Sequence, residues 1–99
     1  MNPRYLIIFE ESCKSEKTFR DYKKNLDYFL KFSHKDYDSL LLLPQIELEQ
    51  LLQDFCIFLK RRSENNEISP NSVPLFFNGI FKFLKVNRKK FDKDLITGM

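Results

Sequence analysis

Three long stretches of this chain repeat large apolar residues at spacings of three and four, and little else in it can turn a backbone tightly. Phe19, Tyr22, Leu26, Phe29 and Leu30 form one stripe. Leu48, Leu51, Leu52, Phe55, Phe58 and Leu59 form a second, with Cys56 at its margin, and Val73, Phe76, Phe77, Ile80, Phe81, Phe83 and Leu84 form a third. That is the period of a helix with one buried face. A strand-rich fold would need many turns, and two Gly and four Pro among 99 residues supply few. The expectation is an all-α domain. A chain of this length supports one core and not two.

Local signals place the helix ends. Ser15 suits an N-cap, so the first long helix runs from Ser15 to Ser33. Arg4 to Glu11 reads as either a short helix or an extended lead-in. Ser33 to Leu43 reads as a connection whose closing run of four Leu tucks under the next helix. Pro44 fits a first helical position, where a missing N–H has no partner to lose, and Glu47 and Glu49 favour the positive end of the helix dipole. That helix is expected to reach about Arg62. Ser63 to Ile68 is polar and forms a loop. In the third helix Pro74 leaves two versions open: a start near Val73 with Ser72 as cap, or a distorted first turn. A last short helix from about Phe91 to Ile96 would close the core with Phe91, Leu95 and Ile96.

Catalytic and metal chemistry find little support. Two cysteines, Cys13 and Cys56, and one histidine make neither a disulfide framework nor a zinc set, and no metal or cofactor is expected. Glu10 and Glu11 are neighbours that point in different directions on a helix, not a convergent acid and base. His34 reads as a residue at a helix C-terminus, where it interacts with the dipole. Two separate glycines build no phosphate loop. The apolar run Leu6 to Phe9 is too short for a membrane span and leads into Glu10 and Glu11, so the expectation is a soluble, cytoplasmic protein with no membrane partner.

The polar faces are more informative. Taking about 100° per residue, Lys17, Arg20, Lys24 and Lys31 fall within about 60° of one another, opposite the first apolar stripe. Asn71, Asn78, Lys82 and Lys85 share a strip of similar width on the third helix, and Arg88 and Lys89 follow it. The middle helix instead shows Glu47, Glu49, Gln50, Gln53 and Asp54, a face that suits solvent better than a polyanion. Lys and Arg neutralise phosphates, and Asn offers amide donors and acceptors to phosphate, sugar or an adenine edge. The net charge of +3 permits this partner without demanding it. Asp21 and Asp27 interrupt the first basic surface. Double-stranded DNA is the expected partner. Asn71, Asn78 and Lys82 are the candidates for groove contacts, and the cations are candidates for phosphate. The rival is a helical protein-interaction module meeting its partner through Tyr28, Phe32, Ile57 and Leu75.

The order of these features resembles a known family. Ser15, Thr18, Tyr22, Leu26 and Phe29 stand in the spacing S-x-x-T-x-x-x-Y-x-x-x-L-x-x-F. Ile46 to Arg62 carries an E-x-x-L-x-x-F-x-x-F-L rhythm, and Ile68 to Val73 runs into Phe76 and then Gly79 to Leu84. Together these are similar to the three main helices of the N-terminal core-binding domain of tyrosine recombinases, the phage integrase family. The resemblance implies a compact four-helix, SAM-like orthogonal bundle over residues 15–96, preceded by a lead-in or short extra helix over 1–14 and followed by a linker starting at 97–99. It implies a non-catalytic half-clamp on duplex DNA near a strand-exchange site. The partners implied are a C-terminal catalytic domain of the same longer chain and other recombinase protomers. The family's catalytic Tyr, Arg and His set has no counterpart among these residues, because His34-Lys35-Asp36-Tyr37 lacks the His-x-x-Arg pattern.

Overall fold

Six helices make up most of residues 2–97, the part of the chain described by the computed structural model. Among these residues there is no strand, and none of the helices is long and apolar enough to cross a membrane. The all-α expectation holds. The helix count exceeds the four expected, because the lead-in is helical and a further short helix occupies the connection before Pro44.

Helix α1 (Arg4–Ser12) starts behind Pro3, whose carbonyl accepts from the N–H groups of Leu6 and Ile7, and it buries Phe9. Helix α2 (Glu16–Ser33) starts at Ser15, whose hydroxyl accepts from the Thr18 N–H at 3.1 Å, and buries Leu26, Phe29 and Leu30. Helix α3 (Tyr37–Leu41) is capped by Asp36, whose carboxylate accepts from the Ser39 N–H at 2.8 Å. Those hydrogen bonds hold the Asp36 carboxyl below its ordinary range. Of the four-leucine run only Leu40 is fully buried. Leu42 is 82% exposed, so the run wraps a corner instead of lying beneath the next helix.

Helix α4 (Gln45–Glu64) has Pro44 just outside it, one position earlier than expected, with the Pro44 carbonyl accepting from the Leu48 N–H. It extends two residues past Arg62, and Cys56 belongs to its buried face, not its margin. Helix α5 (Ser72–Val86) has Asn71 as its N-cap and Pro74 as its third residue. The first four N–H groups of a helix lack intrahelical partners, so proline there breaks no ladder bond, and the helix starts one residue before the expected start at Val73, with Asn71 in place of Ser72 as the cap. Helix α6 (Lys93–Thr97) buries Ile96 and leaves Leu95 half exposed, so Leu95 does not close the core.

Three of these helices end in the same way. His34, Asn66 and Arg88 adopt φ of 57°, 61° and 62°, and in each case the following N–H reaches back to a carbonyl five residues earlier: Lys35 to Leu30, Glu67 to Arg62, Lys89 to Leu84. This is the Schellman cap, formed here on three residues other than glycine. His34 thus sits at the helix C-terminus as expected.

The core is strongly aromatic. Phe55 of α4 packs against Phe29, Phe32 and Tyr28 of α2 and against Phe77 of α5, with ring centroids 5.0 to 5.9 Å apart. Phe83 of α5 gathers Phe9 and Tyr5 of α1 with Tyr37 of α3. Tyr28 and Phe32 lie off the apolar stripe of α2 and are still packed, because α4 meets the C-terminal half of that helix broadly. Arg62 fastens this contact by donating to the Tyr28 hydroxyl and pairing with Glu67. Tyr28 and Phe32 are therefore not the exposed surface that the protein-interaction rival assigned to them. Ile57 is also half-buried, and only Leu75 of that set is exposed.

Helices α2 and α5 come close together where Gly79, buried on α5, lies against the backbone of Tyr22. The Asn25 amide also donates to the Leu75 carbonyl at 3.3 Å. This contact fixes how the polar faces of the two helices are aimed.

Candidate nucleic-acid interface

The packing at Gly79 separates the two basic strips. On α2, Tyr22 faces α5, and Lys17, Arg20, Lys24 and Lys31 lie about 160° to 220° around the helix from it. All four are exposed and none has an ion-pair partner among the described residues. On α5, Asn71, Asn78, Lys82 and Lys85 lie about 60° to 120° from Gly79, beside the line of contact. The two strips therefore occupy different sides of the pair and share no single flat face.

The α5 strip becomes one wall of a groove. Asn78, Lys82, Lys85 and Lys89 are joined there by Lys90 and Lys93, with Tyr22, Phe81 and Phe91 among the apolar lining. Five lysines line the groove against Asp92 and Asp94. Lys82 also acts on Cys13: burial raises that thiol's pKa, and the nearby ammonium works against the rise. Phe81 stacks on Phe91 at 5.0 Å with 25° between the planes, and the Lys93 ammonium lies 5.8 Å from the centre of the Phe81 ring.

Not all of the expected site residues reach this groove. Asn71 is exposed at the N-terminal end of α5, about 10 Å along the axis from Asn78. Near it, Lys24 lines a shallow depression with Asp21, Asn25, Ser72 and Leu75. Arg88, turned by its left-handed cap, sits at the far end of α5 beside Arg4 and Ile8. Lys89 lines the groove but also braces the fold, donating from Nζ to the Leu43 carbonyl at 2.8 Å. Lys90, Lys93 and Phe91 were not singled out by sequence as part of the site. They follow the helical pattern of no long element, and α6 is what brings them alongside α5.

The outer wall, α6, is held by α4. Glu49 accepts from the Asp92 N–H at 2.5 Å and from the Gln45 amide at 3.2 Å, and the Gln53 amide donates to the Leu95 carbonyl at 3.0 Å. The acidic and amide face of α4, expected to be merely solvated, thus docks the last helix. Asp27 stays exposed on the ridge side of α2, where it interrupts the basic surface as its sequence position suggested. It pairs with Lys23 at 3.0 Å and accepts from the Tyr37 hydroxyl, which ties α3 to α2. Among the described residues no three His, Cys, Asp or Glu side chains converge as a metal set. No protein-family model, curated protein or solved structure matches the chain.

Proposed function

We propose that this domain binds duplex DNA through its phosphate backbone. It would form the non-catalytic half of a clamp whose other half is a tyrosine-recombinase catalytic domain on the same longer chain. The observation that carries the reading is the lysine groove between α5 and α6, where five cations surround Asn78 with only Asp92 and Asp94 against them. Lysines set along such a surface neutralise phosphates and release the counterions condensed on the DNA. From Asn71 to Lys85 the α5 strip spans about 21 Å, or about six phosphate steps along one strand. Lys82, Lys85 and Lys90 are the central phosphate contacts in this reading, Asn78 is the groove-facing amide, and Lys17, Arg20, Lys24 and Lys31 flank them on an adjoining side. Site-specific recombination or DNA integration is the process this implies, in an intracellular, DNA-associated setting with other protomers nearby. The chain itself performs no chemistry in this reading.

The test is fluorescence anisotropy of a labelled duplex of about 30 base pairs titrated with the domain at several salt concentrations. The expected result is an affinity that falls linearly on logarithmic axes, with a slope near −0.9 for each phosphate neutralised. Absence of binding at low salt overturns the reading.

A further inference from the structure

A groove built only to hold a phosphate backbone needs cations and amides, yet this one also presents an aromatic stack. Phe77, Phe81 and Phe91 form a row, with centroids 5.2 Å and 5.0 Å apart and planes tilted by 31° and 25°. The row starts in the core, where Phe77 is 1% exposed, and ends at the groove, where Phe81 and Phe91 are partly exposed and line the wall. Phe81 is already engaged by Phe77, Phe91 and the Lys93 ammonium. Phe91 has one ring neighbour among the described residues, Phe81, which leaves its other face without a ring partner. Lys82, Lys85, Lys89 and Lys90 line the same groove.

We infer that the groove takes an unpaired DNA base, stacked on the face of Phe91 that has no ring partner as the next member of the row, with the flanking phosphates held by Lys82, Lys85 and Lys90. The inference rests on the duplex-DNA reading and adds a ligand class to the same site: a strand in which at least one base is out of the helix. The physical grounds are general. A flat apolar face beside a row of cations is how proteins hold single strands, because every base has a π-face and every nucleotide a phosphate. A paired base inside a duplex cannot reach such a face without leaving its stack. Asn78, in the same lining, offers an amide to the edge of a base held there.

The experiment compares four labelled ligands at one low salt concentration: an eight-residue thymidine oligonucleotide, an abasic oligonucleotide of equal length and charge, a fully paired duplex, and the same duplex with one bulged thymine. The abasic strand supplies the phosphates without the bases. The thymidine strand is expected to bind at least about fivefold more tightly than the abasic one, the lower end for stacking one base, and the bulged duplex to exceed the paired duplex by a similar factor. Phe91→Leu keeps the apolar bulk and removes the flat face. It is expected to bring thymidine binding down to the abasic level while leaving the abasic affinity unchanged, which also shows that the variant has kept its lysine wall. Equal binding of thymidine and abasic strands overturns the inference and leaves the duplex reading standing if the paired duplex binds. Failure of all four ligands overturns both.

Discussion

The carbonyl oxygen of Tyr22 lies where a methyl group on Gly79 would come within 2.6 Å of it, and the Cα of Tyr22 would be only 2.7 Å away. These are backbone atoms of a long helix and cannot swing aside as the tip of a side chain would. Gly79→Ala must therefore push α2 and α5 apart. Alanine is the better helix former by about 1 kcal/mol, but overpacking a close contact costs about 1–3 kcal/mol, and here it also disturbs the Asn25 to Leu75 bond. The expected outcome is a lower urea midpoint for the variant. A midpoint equal to or above that of the parent would mean that the helices do not meet as closely as described.

Groove and ridge should contribute unequally to DNA affinity. Replacing Lys82, Lys85 and Lys90 together by Ala should flatten the salt slope by about 2 to 3, at about 0.9 for each lost phosphate contact. Replacing Lys17, Arg20 and Lys31 removes as much charge from the adjoining side and should flatten it by less than half of that. Equal losses would place the α2 ridge inside the main footprint.

Lys89 and Lys90 are neighbours with different tasks. Lys89→Met removes the hydrogen bond to the Leu43 carbonyl that ties the end of α5 to the corner before α4. The expected cost is about 1 kcal/mol, visible as a lower melting temperature. Lys90→Met should leave the melting temperature nearly unchanged, because Lys90 is exposed and substitutions at such positions shift stability by about 0.5 kcal/mol or less. Both should weaken DNA binding. If both variants melt with the parent, Lys89 is not a brace.

Alkaline pH should loosen the attachment of α3. Burial, followed by the hydrogen bond to Asp27 and its negative charge, raises the pKa of Tyr37 well above its ordinary value of 10.0, because ionising it would set a phenolate beside a carboxylate in a partly desolvated site. A folded-state pKa raised above the unfolded one contributes stability that is complete below the unfolded value and is lost as pH climbs from about 10 toward the folded value. Thermal stability should therefore decline above about pH 10, and more steeply in the parent than in Tyr37→Phe. Parallel declines would show that lysine deprotonation alone accounts for the loss.

Much of the fold was legible because the signals were local. Ser15, Pro44 and the three apolar stripes fixed the long helices to within about two residues, since caps and periodicity act over one or two turns. Helix α3 was missed because it is five residues long and its leucines run consecutively, without a period to read. Tyr28 and Phe32 were misread as surface because their burial comes from α4, more than twenty residues away. The candidate site shows the same division. Asn78, Lys82 and Lys85 could be grouped from helical spacing alone. Lys90, Lys93 and Phe91 joined them only through the docking of α6, and Lys89 gained its structural bond from a carbonyl 46 residues earlier. The bond between Asp27 and Tyr37 was not legible, because nothing in the linear order ties the two.

The attachment of α6 to α4 couples two equilibria. The helix supplies one side of the groove, yet it is five residues long and buries only Ile96, and it is held to α4 by the Asp92 N–H donating to Glu49 and the Gln53 amide donating to the Leu95 carbonyl. A helix this short is not stable alone in water. A ligand in the groove that touches Lys93 on α6 favours the docked arrangement by as much as docking favours occupancy, since linkage is reciprocal. Glu49, which touches no ligand in this reading, thereby becomes a determinant of affinity: the carboxylate sets how often the wall is present when a strand arrives.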